Sequence, residues 1–79
     1  MDKNVTVYST PTCPFCIRLK QFFKDNNVIF TDIDVSSDHD KAQEMIKKSG
    51  QMGVPVIEID SKVIVGFDKE RIKEALGIV

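Results

Sequence analysis

The first half of the chain switches twice between two hydrophobic periods. Val5 and Val7 alternate with Thr6 and Tyr8, a period of two that marks a strand. The turn residues of "STPT" break it, and Pro14 suits the first position of a helix, where its missing N–H costs nothing. Phe15, Leu19, Phe22 and Phe23 then recur at helical spacing, with Cys16, Leu19 and Phe23 on an adjoining stripe. Arg18, Lys20, Gln21 and Lys24 supply polar surface. "DNN" at 25–27 ends the helix, because Asn tolerates the left-handed cap conformation. "VIFTDIDV", 28–35, returns to period two. A strand, a helix and a second strand in this order require a parallel pair joined by a right-handed crossover.

The second half is as regular. Ser37 with Asp40 three residues on predicts a capping box with Asp in place of Glu. Ala42, Met45 and Ile46 mark a helix face, and Gly50 suits its end. "QMGVP" is a loop. "VIEID" and "VIV" read as strands joined through "SK", a predicted hairpin broken by Gly66. Asp68 can cap a last helix carrying Ile72, Ala75 and Leu76, with Gly77 at its end. The predicted order is β-α-β-α-β-β-α, an α/β fold. It implies a four-stranded mixed sheet with three helices distributed over both faces, because strands 1 and 3 are apolar enough to lie centrally.

A chain of 79 residues argues for one domain spanning 1–79. With 42% hydrophobic and 29% charged residues, it has a globular composition. A formal net charge of −1 favours neither nucleic acid nor an anionic membrane as partner. No apolar run approaches the ~18 residues of a membrane span. "MDKNVTVYS" lacks the charged start, apolar stretch and cleavage site of a signal peptide. The expected location is therefore cytoplasmic, where thiols are mostly reduced.

That expectation bears on "CPFC". Cys13 falls at the N-cap of the first helix, directly after a strand and a turn. The first helical N–H groups have no intrahelical partner, and the macrodipole places positive potential there. Both favour a thiolate over a thiol, so Cys13 is the better nucleophile. Cys16, three residues on, is close enough to attack a mixed disulfide on Cys13. This geometry suits thiol–disulfide exchange, with Cys13 attacking and Cys16 resolving. A structural disulfide would close so short a loop that it would remove little entropy from the unfolded chain. A zinc site needs four ligands, whereas the chain has two cysteines and one histidine. His39 lies more than twenty residues away at a polar helix start, where a solvated histidine is the simpler account. A dimer sharing an iron–sulfur cluster remains an alternative, since two chains could supply cysteine ligands.

Taken together, "VYSTPTCPFC", "SGQMGVPVIEID" and "VIVGFDKE" resemble, in order and spacing, the glutaredoxin family of the thioredoxin superfamily. The resemblance spans nearly the whole chain. It implies a thioredoxin-like fold and a glutaredoxin-type thiol–disulfide oxidoreductase with Cys13 as nucleophile and Cys16 as resolving thiol. The reaction would need no tightly bound cofactor and no metal, with glutathione as cosubstrate. Val54-Pro55 resembles the family's pair in which a cis bond precedes the proline. Val54 backbone groups would then face the dithiol and pair with an extended substrate. Gln51 matches a position that helps hold glutathione, and Asp68 could receive its amino group. Thr12, Pro14, Phe15, Pro55, Gly66 and Phe67 complete the implied binding surface. Tyr8 matches a common family residue, though core packing explains it equally.

Departures from the family pattern bear on the electron donor. Thr10 stands where many members carry lysine, Met52 where many carry arginine, and Gly53 where many carry threonine. Gly66 is followed by Phe67 instead of a second glycine. "GF" is similar to redoxins that serve ribonucleotide reductase, some of which draw electrons from thioredoxin reductase. "CPFC", by contrast, differs from the common "CPYC" by one hydroxyl. The expected partners are therefore glutathione or thioredoxin reductase as donor and disulfide-containing proteins as substrates, with the chain acting as a monomer. Lys20 lies near the dithiol stripe but ~10 Å along the axis from Cys13, too far for an ion pair with it. Arg18 could meet an acidic partner, although a solvated cationic face explains it too.

Overall fold

A computed structural model describes residues 4–78. Residues 1–3 and 79 of the predicted domain, including the first residues of the segment weighed as a signal peptide, lie outside them. The elements run β1 (Val5–Ser9), α1 (Pro14–Asp25), β2 (Thr31–Asp34), α2 (His39–Ser49), β3 (Val56–Ile59), β4 (Lys62–Val65) and α3 (Lys69–Leu76). This is the predicted order, and the sheet is the expected four-stranded mixed sheet, ordered β2-β1-β3-β4. β1 pairs parallel with β2 and antiparallel with β3, and β3 pairs antiparallel with β4.

Alternation along the strands divides the side chains between two cores. On one face Val5, Val7, Ile57, Ile59 and Ile64 pack with Leu19 and Phe23 of α1 and Ile72 and Ala75 of α3. On the other, Tyr8 and Val56 pack with Met45 of α2, flanked by Ile33, Val35, Ile46 and Val63. α1 and α3 thus cover one face and α2 the other. Lys48 ties α2 to the sheet: its Nζ donates to Glu58 Oε1 at 2.8 Å and to the Tyr8 hydroxyl at 3.2 Å.

Three predicted boundaries move. β2 begins at Thr31, not Val28. The Val28 N–H donates to the Phe23 carbonyl at 2.8 Å, so the chain is still closing α1 there, and pairing with β1 starts at Thr6–Thr31. Ile29, predicted within the strand, is 90% exposed. The cap of α2 is Asp38, which accepts the Lys41 N–H, instead of Ser37. The Ser37 hydroxyl donates instead to the Asp34 carbonyl at 3.3 Å. In the β3–β4 hairpin the register pairs Ile59 with Lys62, so the two-residue turn is Asp60–Ser61, not Ser61–Lys62. Asp60 takes a φ of 55°, a conformation that short polar side chains tolerate.

Candidate active site

β1 delivers the chain to one end of the sheet, and the turn of residues 10–13 redirects it into α1. Cys13 is the N-cap of that helix, with extended backbone at φ −85° and ψ 114°. Its Sγ takes the place of a capping oxygen and accepts the Cys16 backbone N–H at 3.3 Å. Pro14 stands at the helix start, as its spacing predicts. Both cysteines are free thiols. Cys13 is partly exposed and Cys16 is fully buried, on the stripe with Leu19 and Phe23.

The two sulfurs differ in environment as well as depth. Burial pushes the Cys16 thiol up to about 11, and the hydrogen bond and charge of Cys13 act in the same direction. The Thr10 backbone and Lys20 oppose that rise. A buried neutral thiol behind an exposed one fits an attacking and resolving pair.

The proline loop lies across from Cys13. The Val54–Pro55 bond is cis, as the resemblance implies. The Cys13 thiol points at the Val54 carbonyl oxygen across 4.0 Å. Pro55 is buried, and its carbonyl accepts the Gly66 N–H at 2.8 Å. Gly66 has a φ of 82°, where a Cβ would be disfavoured. The structure therefore brings Cys13, Cys16, Val54, Pro55 and Gly66 into one linked neighbourhood. Phe15 is exposed beside the cysteines, with the Arg18 guanidinium 5.8 Å from its ring centre. Thr12, Pro14 and Asp68 are also exposed. Phe67 packs edge-on against Phe22, ring centres 6.0 Å apart, and joins the core beneath α1.

In the loop before Val54, Met52 is 78% exposed where many family members place a cation. Gln51 is tied at its backbone: Ser49 Oγ donates to its carbonyl at 3.0 Å. Its side-chain amide lies over Gly53, so that a Cβ there would sit 3.0 Å from Gln51 Nε2. Among the described residues, no three His, Cys, Asp or Glu side chains are grouped to hold a metal ion.

Sequence reasoning missed one polar cluster on the α1 face. Ser9 Oγ, buried, donates to Asp32 Oδ1 at 2.7 Å, and Asp32 Oδ2 meets Lys20 Nζ at 2.7 Å. A cleft of about 560 Å³ lies at the opposite end of β1 and includes Asn4, Val28, Ile29 and Ile78. None of the predicted site residues lines it.

Comparison with known proteins places the chain among the glutaredoxins. Residues 5–64 match the glutaredoxin family model. A glutaredoxin-like 8.6 kDa protein in the rubredoxin operon of Clostridium pasteurianum is 44% identical over 72 residues, covering 91% of this chain and 96% of that protein. Glutaredoxin 3 of Escherichia coli is 38% identical over 74 residues, covering 94% and 89%. The crystal structure of a glutaredoxin from Archaeoglobus fulgidus superposes with a TM-score of 0.86 at 28% identity, covering 94% of this chain and 86% of that one.

Proposed function

The chain belongs to the glutaredoxin family and is a thiol–disulfide oxidoreductase, and from that premise we propose that it reduces protein disulfides and glutathione mixed disulfides through the Cys13/Cys16 dithiol. The observation that carries this reading is the cap geometry, with Cys13 Sγ receiving the Cys16 N–H at 3.3 Å at a helix start. Donors aimed at a sulfur in this position are those a thiolate accepts.

In the proposed reaction Cys13 attacks one sulfur of the substrate disulfide. The Cys13–substrate bond forms, the substrate S–S bond breaks, and the departing thiolate takes a proton. Cys16 then attacks Cys13 Sγ, forming the Cys13–Cys16 disulfide and releasing the second substrate thiol. Two glutathione molecules restore the dithiol and leave as glutathione disulfide. The chemistry needs no tightly bound cofactor, and glutathione is a cosubstrate. Val54 would pair with the extended backbone of the bound thiol, Gln51 and Asp68 would hold its ends, and Thr12, Pro14, Phe15, Pro55, Gly66 and Phe67 would border it. The chain would act as a monomer of one domain, 1–79, in the cytoplasm.

One observation favours a second donor. Thr10 and the exposed Met52 leave uncharged two positions where a cation would attract glutathione carboxylates. Thioredoxin reductase, with ribonucleotide reductase as the protein served, is the reading this favours. The test follows NADPH oxidation with glutathione plus glutathione reductase, and separately with thioredoxin reductase, against one disulfide substrate. Faster turnover with glutathione supports the first reading. Turnover confined to thioredoxin reductase replaces it with the second.

A further inference from the structure

The polar cluster Ser9–Asp32–Lys20 has no part in the chemistry described so far, yet the charge of its lysine acts on Cys16. Lys20 follows Cys16 by four residues on α1. Side chains at that spacing lie on one helix face with Cβ atoms about 5–6 Å apart. A lysine there would ordinarily spread its charge through solvent. Here it is held. Its Nζ meets Asp32 Oδ2 at 2.7 Å, and the other oxygen of Asp32 accepts the hydroxyl of Ser9 at 2.7 Å. Ser9 is buried at the end of β1, next to the turn that carries Cys13. The Lys20 side chain is itself only 25% exposed, so solvent screens it less than an open surface cation.

Besides Asp32, Cys13 and Asp34 act at this corner. At the cap of α1 the Cys13 sulfur faces the Cys16 N–H. On β2, Asp34 feels Lys20 but is held chiefly by the hydroxyl and backbone N–H of Ser36. Of the groups acting on Cys16, Lys20 is the cation that favours its thiolate, opposing burial and Cys13.

We propose that Lys20, fixed in place by Asp32 and Ser9, is the positioning residue that speeds closure of the Cys13–Cys16 disulfide by stabilising the Cys16 thiolate as it forms. This rests on the dithiol reading above. In the closing step the Cys16 S–H gives up its proton, Cys16 Sγ bonds to Cys13 Sγ, and the Cys13–substrate S–S bond breaks. The released substrate thiolate takes up one proton, so charge and electrons balance without another reactant. Lys20 keeps its own protons throughout and contributes only its charge. The Asp32–Ser9 tether keeps that charge on the α1 face of Cys16 without a new ordering cost at the moment of reaction.

The test uses 5,5′-dithiobis(2-nitrobenzoate), which releases one coloured thiolate when Cys13 attacks and a second when Cys16 closes the ring. The first phase depends on probe concentration and the second does not. In Lys20→Met the second phase should slow about tenfold at pH 7, and its pH midpoint should rise by about one unit. The first phase should change less than about twofold. Lys20→Arg, which keeps the charge, should restore the second phase. The inference is overturned if the second phase of Lys20→Met matches wild type, if it slows with an unchanged pH midpoint, if both phases slow together, or if arginine fails to rescue it. A wild-type protein that never shows the second phase would overturn the dithiol reading itself.

Discussion

Cys13 Sγ accepts the backbone N–H of Cys16 at 3.3 Å, so the thiol proposed to attack caps the main chain of the residue proposed to resolve it. Cys13 is held by main-chain geometry at a helix start, whereas Cys16 is fully buried on the stripe of α1 that carries Leu19 and Phe23. The two cysteines therefore fail differently when replaced. Cys13→Ser should remove turnover of both protein disulfides and glutathione mixed disulfides, by at least about 10³-fold, since a serine hydroxyl is a far weaker nucleophile at neutral pH. Cys16→Ser should lose the protein-disulfide route while keeping turnover of a glutathione mixed disulfide. Coupled NADPH assays on both substrates read the difference, and substantial activity in the Cys13 variant would contradict the assignment.

The raised Cys16 thiol predicts a stability change at alkaline pH. Its ordinary value is 9.0 and the fold pushes it to about 11. Between those values the unfolded chain has given up a proton that the folded chain keeps, so stability falls as pH rises. The contribution is complete below pH 9.0 and lost as pH passes about 11. Lys48, raised by its hydrogen bonds to Glu58 and Tyr8, adds a loss of the same sign. Urea unfolding midpoints measured from pH 8 to 11 should therefore drop more steeply for wild type than for Cys16→Ala, in which only the thiol is removed.

Lys48 makes a separate prediction. It donates to Glu58 and to the hydroxyl of Tyr8, a residue 1% exposed. Lys48→Met should cost about 1–2 kcal/mol, because it leaves partly buried acceptors without their donor. Lys47→Met, on the same helix, should stay within about 0.5 kcal/mol of wild type. Equal midpoints for the two variants in urea would show that the Tyr8–Lys48–Glu58 contact contributes nothing.

How far these features are legible in the sequence depends on how local their causes are. Asp68, Gly50 and Gly77 are caps where residue type and backbone conformation coincide, and the structure has all three. Cys13 at a helix start follows from the same local rules. Asp38 does not stand out in the sequence because Ser37 beside it is an equally good cap candidate, and the Asp34 carbonyl engages the Ser37 hydroxyl. The start of β2 is not legible because Val28, Ile29 and Phe30 have strand-like side chains, while the Val28 N–H is already committed to α1. The Ser9–Asp32–Lys20 chain needs the parallel register of two strands and the pitch of a helix at once. No short window of sequence contains all three residues.

Gly53 and Gln51 test the glutathione reading from the loop side. A Cβ at 53 would lie 3.0 Å from Gln51 Nε2, the mobile end of a flexible side chain. Gly53→Ala should thus displace the Gln51 amide without disturbing the fold. If Gln51 holds glutathione, the variant should raise the KM for glutathione about three- to tenfold, the range expected for one weakened hydrogen bond. Its kcat and urea midpoint should stay near wild type. An unchanged KM would remove Gln51 from the glutathione contacts.

Asp68 carries two roles that one pair of substitutions separates. Its carboxylate caps α3, accepting the Arg71 N–H at 3.3 Å, and lies 3.7 Å from Arg71 Nε. The same exposed charge is proposed to receive the amino group of glutathione. Asp68→Ala loses both and should cost about 1 kcal/mol of stability as well as affinity for glutathione. Asp68→Asn keeps a capping oxygen of nearly equal quality but removes the charge. Its urea midpoint should remain close to wild type while its KM for glutathione rises, and the rise should shrink at high salt, where an exposed ion pair is screened. If the asparagine variant binds glutathione as wild type does, Asp68 is a helix cap and its charge plays no part in donor recognition.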